Sequence, residues 1–497
     1  MTNISRFLQT HRQTLLIGLG LFLLAFAIRW YRLPDYLFFG FEQGRDAEAA
    51  MNIFRLSDFV LVGPKTDIGG IFHGVWYYYL MAFPYGLSGG NPLVAAGSLI
   101  LMSSLVPLIM FDLLKDITHQ KKWGIVAGLV TVFSYEFVSY SRWLSNVTPA
   151  VLCLAICLWG LWKTHNSRRQ LYLFISIAAA ALAAQFEIIL CLWLAFLFGI
   201  LWLTRFIPWP SKKNWVASMI WVGGLFAPMM LFNLRNDFIS FKSMTTYHQA
   251  TETTGKFDVL GVINGYGRMI ERLIQKTLFN LPLPGLVAGA TLLLVGSMSQ
   301  NTSSRFKSAI WLFGLWTVMT VPVIFFPKSL PLTQLYIGTG LGLIGLFTLS
   351  LYHFSQSKWG KILGLVLVGL LMVGMGRSLY SLATNQDVFF ITIQDDLNYH
   401  DQRALLSYVH EDAAGQPYRL ASFTIPYYQE EGWRYLSHYF NKQDTSDGAK
   451  FIYLVIEKGV DPYWIGQWTK DLGPTELLEE RPFGLLRVQK RQILPSE

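Results

Sequence analysis

Apolar stretches close to 20 residues long recur from near the start of the chain to about residue 381. A helix of that length rises about 1.5 Å per residue and crosses the hydrocarbon core of a bilayer. The stretches lie near 13–31, 92–114, 123–141, 148–163, 170–185, 187–204, 214–234, 280–298, 308–326, 333–352 and 360–381, which predicts eleven spans. Only a Gln-Phe-Glu connection parts the fifth from the sixth. The first has no small-residue cleavage site behind it and reads as a retained helix, not a signal peptide. Of 497 residues, 53% are hydrophobic and 14% charged, with a mean hydropathy of +0.37. Soluble chains carry about 25% charged residues, so most of this chain belongs in lipid.

The net charge of +9 would point to nucleic acid in a soluble protein. Here the basic residues fall in short loops between apolar stretches, a topology signal. Alternate loops carry KDITHQKK, KTHNSRR, TRFIPWPSKK, SRFK and HFSQSKWGK, and the N-terminal tail carries Arg6 and Arg12. With eleven spans all of these fall on one side, the cytoplasmic one by the positive-inside rule. The 32–91 loop, the 236–279 loop and the C-terminal tail are then expected outside. Cys153, Cys157 and Cys191 all lie in apolar stretches, which predicts free packed thiols and no metal or disulfide framework.

From about residue 383 the composition turns polar and acidic, so 1–382 and 383–497 are expected to be a transmembrane domain and a small extracytoplasmic α/β domain. Residues 398–411 pattern as an amphipathic helix, and YRLASFTI, FIYLVIE and GLLRVQK as strands. EEGWRYLSHYF spaces Trp433, Leu436 and Phe440 for one helix face. Such a domain would shield a membrane site, bind an acceptor, or serve as a structural lid.

Charge is concentrated between the first two spans. FGFEQGRDAEAAMNIFRLSD, residues 39–58, places Glu42, Arg45, Asp46 and Glu48 directly after an apolar stretch. GPKTDIGG and FHGVWYYYL then add Lys65, Asp67 and His73 beside an aromatic run. Carboxylates, an arginine and a histidine at the mouth of a bilayer protein suit a phosphorylated, membrane-borne substrate. The structural alternative is a salt-bridge set that orders the loop. Glu136, Arg142 and Asn146 flank the next external connection, Glu187 the one after, and Arg235 and Lys328 mark later external edges. Ionisable groups at membrane edges tend to face a cavity, although snorkelling explains basic ones equally well. Trp76-Tyr77-Tyr78-Tyr79 reads first as an interfacial aromatic belt, and His248 lies alone in a polar stretch.

EQGRDAEAA followed by GP, FHG and YYYL resembles the first external loop of polytopic GT-C glycosyltransferases. In pattern it is nearest the protein O-mannosyltransferases and the lipid A aminoarabinose transferases. Glu42-Gln43 stands where those families place an Asp-Glu pair, Arg45 matches their arginine, Ala47-Glu48 continues the short helix, and His73 falls at their Lys/His position. Two departures are a glutamate for the usual aspartate and Gly74-Val75 for two prolines. The resemblance implies an α-helical polytopic GT-C fold. It also implies transfer of a sugar from a polyprenyl-phosphate donor, on the extracytoplasmic side, to a hydroxyl of a protein, glycan or lipid.

That chemistry needs a carboxylate to take the proton of the attacking hydroxyl and donors for the departing phosphate. Glu42 is the expected base, with Asp46 one turn on as reserve. Arg45 and His73 are expected at the phosphate, with Arg142, Asn146, Arg235 and Lys328 as further substrate contacts. The sequence names no cofactor, and a divalent cation shared by Glu42, Asp46 and Asp67 stays open. Transport or flipping of a lipid-linked saccharide is the alternative, yet no internal repeat or matched broken spans support it. A non-catalytic scaffold would leave the charged loop without purpose. No Gly-rich phosphate loop follows a strand, which argues against a soluble nucleotide-sugar donor.

Overall fold

The structure is a computed structural model that describes residues 3–253, 259–281, 303–322, 333–384, 397–425, 427–440 and 448–495. Lys328 and nearly all of the stretch 280–298 lie outside them. Helix α1 (Asn3–Trp30) leads through α2 (Leu33–Tyr36) to α3 (Phe41–Phe54) and α4 (Trp76–Leu87). The bundle follows with α5 (Pro92–Ser103), α6 (Val106–Thr118), α7 (Lys121–Phe133), α8 (Tyr135–Ser141), α9 (Val147–Ser167), α10 (Gln170–Phe186), α11 (Leu190–Leu203) and α12 (Lys212–Arg235). Next come α13 (Ile239–Thr253), α14 (Val259–Ile274), α15 (Ser304–Val318), α16 (Thr339–Phe354) and α17 (Lys358–Thr384). The C-terminal part runs α18 (Tyr399–Ala413), β1 (Tyr418–Phe423), α19 (Glu431–Tyr439), β2 (Phe451–Ile456), α20 (Pro462–Asp471), β3 (Thr475–Phe483) and β4 (Leu486–Ile493).

Among the described residues five stretches are long and apolar enough to cross a membrane: Arg12–Trp30, Pro92–Thr118, Val147–Ser167, Lys212–Arg235 and Lys358–Thr384. The pair α7–α8 makes a sixth if its 55° bend lies within one span. α10, α11 and α16 are apolar but shorter. At 14 residues, α11 is only about 21 Å long, short of the hydrocarbon core. Eleven full-length spans are therefore not what the described helices display. The 236–279 segment also differs from its expectation as a loop, because it is built of α13, α14 and a π-helical turn, Gln275–Phe279.

The break between α7 and α8 has a specific partner. It leaves carbonyls at the C-terminus of α7 without helical donors, and the buried Arg29 guanidinium reaches Val132 O and Thr131 O, both at 3.4 Å. Arg142, which ends α8, returns the arrangement by donating to Tyr31 O at 2.6 Å and Arg29 O at 3.4 Å. Arg29 thus caps the end of α7 and Arg142 the end of α1, both through backbone carbonyls.

The basic loops gather at one end of the bundle. Arg305, at the start of α15, donates to Asn166 Oδ1 at 2.9 Å and Asp116 O at 2.8 Å, and Lys121 reaches Gln13 Oε1 at 2.6 Å. At the opposite end stands a four-stranded sheet of order β1-β2-β4-β3, with β1 and β2 parallel and the other pairs antiparallel. β2 is its buried centre. Tyr453 and Val455 pack on the side of α18 and α19, with Leu405, Leu406, Val409, Trp433 and Leu436. Leu454 and Ile456 face Phe423, Val460, Ile465 and Trp468. Period-two alternation of the strand sorts the two sets.

This sheet region sits directly on the segment between the first two membrane helices. Tyr399 N donates to Leu37 O at 2.8 Å, Gln402 Nε2 to Phe39 O at 2.9 Å, and Tyr435 Oη to Gly90 O at 2.7 Å. α19 and α3 touch backbone to backbone. A methyl group on Gly44 would overlap the Glu431 carbonyl, and one on Gly432 would stand 2.8 Å from Gly40 O.

Candidate functional site

α3 begins at Gly40, whose amide donates to Gln43 Oε1 at 3.1 Å and fixes the first turn. Gln43 Nε2 then donates to Leu144 O at 2.9 Å and ties the helix to the α8–α9 connection. Buried and doubly bonded, Gln43 is a fastener. The helix turns Gly44 and Glu48 toward α19, where Glu48 meets Arg434 at 2.7 Å. Glu42, Arg45 and Asp46 face the other way, into a cavity of about 310 Å³.

A short hairpin closes one side of that cavity. Gly63 N donates to His73 O and His73 N to Pro64 O, both at 2.9 Å, and Thr66 bonds across to Ile71. Its tip turns through Gly70 at a φ of 84°, a left-handed conformation that glycine adopts without cost. Lys65, Asp67 and His73 are thereby placed on the cavity wall. The α8–α9 connection adds Trp143, Ser145 and Asn146; Glu187 and Cys191 come from the α10–α11 region, and Met244 and Gln334 from α13 and the turn at 333–336.

Within this ring the charges are unevenly paired. Asp46 Oδ1 takes Arg45 Nη2 at 2.8 Å, Arg45 Nε at 2.9 Å and the Tyr78 hydroxyl at 3.1 Å. Burial opposes the Arg45 charge, but Asp46 and Glu42 more than offset it and hold the guanidinium ionised, its pKa pushed up. The Glu42 carboxyl makes no hydrogen bond or ion pair with any described residue. Burial first, then the neighbouring Asp46 charge, pushes its pKa above the usual carboxylate range, with Arg45 working against them.

His73, expected at the phosphate, lines the cavity as a buried imidazole. Its Nδ1 accepts the Ile188 amide at 3.3 Å, which leaves the proton on Nε2. Burial, with Arg45 nearby, brings its pKa down to about 3. A neutral imidazole offers one N–H and no charge, so the positive charge on the wall comes from Arg45 and Lys65. Asn146 lines the cavity and donates to Phe186 O at 2.6 Å.

Two further expected contacts lie elsewhere. Arg142 is spent on the carbonyls of residues 29 and 31 and does not line the cavity. Arg235 ends α12 exposed, also away from the lining, and Lys328 is outside the described residues. Glu136 takes the Thr277 hydroxyl and is not bonded to Arg142. Among the described residues no three His, Cys, Asp or Glu side chains are grouped to hold a metal.

No family model and no curated protein matches the chain. Among solved structures it is similar to ArnT from Cupriavidus metallidurans bound to undecaprenyl phosphate, at 10% identity and a TM-score of 0.55 over 95% of this chain and 97% of that one. The chain has the fold of ArnT. Coverage of 95% takes in the C-terminal sheet region as well as the bundle. ArnT is a lipid A aminoarabinose transferase of GT-C fold, so the architecture agrees with the resemblance carried by residues 39–79. Missed from sequence were the cavity roles of Trp143, Ser145, Cys191, Met244 and Gln334. These residues come from separated segments, and nothing in their local patterns marks them.

Proposed function

We propose that the chain is an integral-membrane glycosyltransferase that moves a sugar from a polyprenyl-phosphate donor to an acceptor hydroxyl. The observation that carries this is the Glu42 carboxyl, without a hydrogen bond or ion pair among the described residues, inside a cavity whose wall also holds Arg45 and Lys65. That ArnT was solved with undecaprenyl phosphate supports the donor class.

In the reaction the acceptor oxygen attacks the anomeric carbon, its proton passes to Glu42, and the bond from that carbon to the phosphate oxygen breaks. The electron pair leaves with the phosphate, which gains one negative charge. Arg45 and Lys65 stabilise that charge, and the His73 Nε2–H donates to it. Asp46 acts as the positioning residue for Arg45, and Asn146 holds the far wall. The basic loops gathered at one bundle end support, by the positive-inside rule, an extracytoplasmic cavity and sheet region. The division at 382/383 separates membrane and external domains. A reporter fused after Glu497 is then external and one in the 205–213 loop cytoplasmic.

The test uses the purified protein with a synthetic polyprenyl-phosphate sugar and a hydroxyl acceptor. Glu42→Gln cuts transfer by about 10²- to 10⁴-fold, the usual worth of a general base, while undecaprenyl phosphate still binds. Cys191 gives a second readout because it lines the cavity while Cys153 and Cys157 are buried in the core. Undecaprenyl phosphate should slow its alkylation by a maleimide. Normal transfer by Glu42→Gln, or wild-type translocation of the donor without transfer, refutes the reading.

A further inference from the structure

Away from the cavity, the C-terminal region carries a cluster of aromatic rings on its surface. Tyr427 lies 6.1 Å from Trp464 and 5.8 Å from Trp468, Tyr428 lies 5.0 Å from Trp468, and Tyr463 lies 5.3 Å from Trp464. Only Trp468 is rooted in the core, against Phe423 at 4.0 Å. The others stay in solvent: Tyr428 is 75% exposed, Tyr463 62%, Trp464 46% and Tyr427 39%. A contiguous exposed apolar patch on a protein marks an interaction surface.

The backbone supplies a second, independent observation. Tyr428 is held at a φ of 64°, in the left-handed region that disfavours a bulky side chain. Such a residue is disfavoured there relative to glycine, because its Cβ crowds the backbone carbonyl. Burial does not offset this cost, because the ring is mostly solvated. Its main tie is the Trp468 Nε1–H donating to its hydroxyl at 3.3 Å, which sets its orientation in the cluster. A strained, exposed ring held in a fixed direction is what an external ligand would account for.

The chemistry of the patch narrows the ligand. Its exposed rings are tyrosines and a tryptophan, each with a polar tip beside a flat apolar face. An aliphatic protein partner has no need of such tips, whereas a sugar presents C–H faces to rings and hydroxyls to their edges. The negative ring face attracts those slightly positive C–H groups. A bilayer fits less well: α20, PYWIGQWTKD, lacks the basic polar face that interfacial helices carry.

Position connects the patch to the cavity. Tyr428 is three residues from Glu431, at most about 10 Å of chain, and the Glu431 carbonyl is packed against Gly44, on the face of α3 opposite Glu42, so the patch lies across that one helix from the cavity. We infer that Tyr427, Tyr428, Tyr463 and Trp464 form a platform for a saccharide acceptor, which presents its end to the Glu42 cavity. This rests on the glycosyltransferase reading for the acceptor role, but the platform itself is tested by binding alone.

The experiment titrates the full-length protein in detergent, without donor, against cellohexaose and mannohexaose by calorimetry. At least one hexasaccharide binds the wild type, and Trp464→Ala and Tyr428→Ala each weaken it about 3- to 10-fold, as for loss of one ring contact. Tyr428→Gly separates a binding role from a structural one: it relieves the backbone, so melting temperature holds or rises while affinity still falls. Undecaprenyl phosphate binding is unchanged in all three variants. Failure of both hexasaccharides to bind at 10 mM overturns the platform, as does binding that survives the double variant Tyr428→Gly/Trp464→Ala. Competition by undecaprenyl phosphate would place the saccharide in the cavity and overturn it too. So would Trp464-dependent binding of an unglycosylated, unfolded polypeptide in place of the sugars. Saccharide binding without any transfer from a lipid-linked donor would leave the platform standing and sink the glycosyltransferase reading instead.

Discussion

Two charged clusters sit at opposite ends of the α5–α6 span, and they differ in how completely they are paired. At the end of α6, Asp112 meets Lys115 at 2.7 Å, Lys163 at 3.6 Å and the Trp159 N–H at 2.9 Å. Asp116 meets Lys163 at 3.4 Å, Arg305 at 3.5 Å and the Trp162 N–H at 2.9 Å. At the other end Asp46 is similarly tied to Arg45, but Glu42, one turn away, makes no hydrogen bond or ion pair with any described residue. Closed sets of charge join helices. A carboxyl left open beside a cation in a cavity is a capacity to take a proton, retained at a cost in desolvation.

The largest effect that sharpens this contrast is the pH dependence of transfer. The raised Glu42 pKa means that the base form appears only above the ordinary carboxylate value of about 4.3. The rate therefore falls as pH drops through the raised value, and Glu42→Gln removes that acidic limb together with the rate. Its folded-state pKa being raised, ionised Glu42 works against stability at neutral pH, so Glu42→Gln keeps or raises the melting temperature while activity collapses. A drop in melting temperature would show that Glu42 is structural and erase the difference between the clusters.

Next in size is Arg45→Ala. It removes a charge-assisted donor, worth roughly 1.5–3 kcal/mol or about 10- to 150-fold, from the binding of undecaprenyl phosphate. Arg45→Ala also strands Asp46, so Arg45→Lys is the companion variant: it keeps the charge and restores part of the affinity. Equal binding by wild type and Arg45→Ala would shift the phosphate toward Lys65.

Much of this arrangement could be read from the chain. Glu42, Arg45 and Asp46 stand out because charge directly after an apolar stretch is costly, and Asn146 because it borders a span. The sheet order could not be read, and neither could β3, since TELLEERPF is exposed along most of its length and shows no alternation. α20 was likewise missed, as it buries no residue fully. α13 is polar enough to pass for a loop. Arg142 shows the limit for single residues: a basic group at a membrane edge has the same sequence signature whether it meets a phosphate or a helix's carbonyls. His73 was expected at a phosphate, and its protonation could not be read, because that depends on burial within the folded chain and on the neighbouring Arg45.

A smaller effect tests how rigidly the sheet region holds the open cluster. Gly44→Ala puts a methyl group into the Glu431 carbonyl and must push α19 from α3. Overpacking of this kind costs about 1–3 kcal/mol, and transfer should fall with it because Glu42 rides on the same helix. Gly20→Ala in α1 is the control, with nothing within 4 Å of the added methyl. If both variants behave like wild type, contact with the sheet region is not what positions Glu42.

The smallest expected effect belongs to the closed cluster. Asp112→Asn is nearly isosteric, and its amide oxygen still accepts the Trp159 N–H, so only the attraction of Lys115 and Lys163 is lost. The side chain of Asp112 is 37% exposed and that of Lys115 27%, and water screens part of that attraction. Pairs so exposed contribute at most about 1 kcal/mol, and Lys163 retains Asp116 as a partner. A small drop in melting temperature and transfer within about twofold of wild type is therefore expected, since a rate change of that size is well under 1 kcal/mol. A tenfold loss of transfer at unchanged melting temperature would mean that this end of the bundle also takes part in the chemistry. Completeness of pairing would then no longer distinguish a structural charge cluster from a functional one.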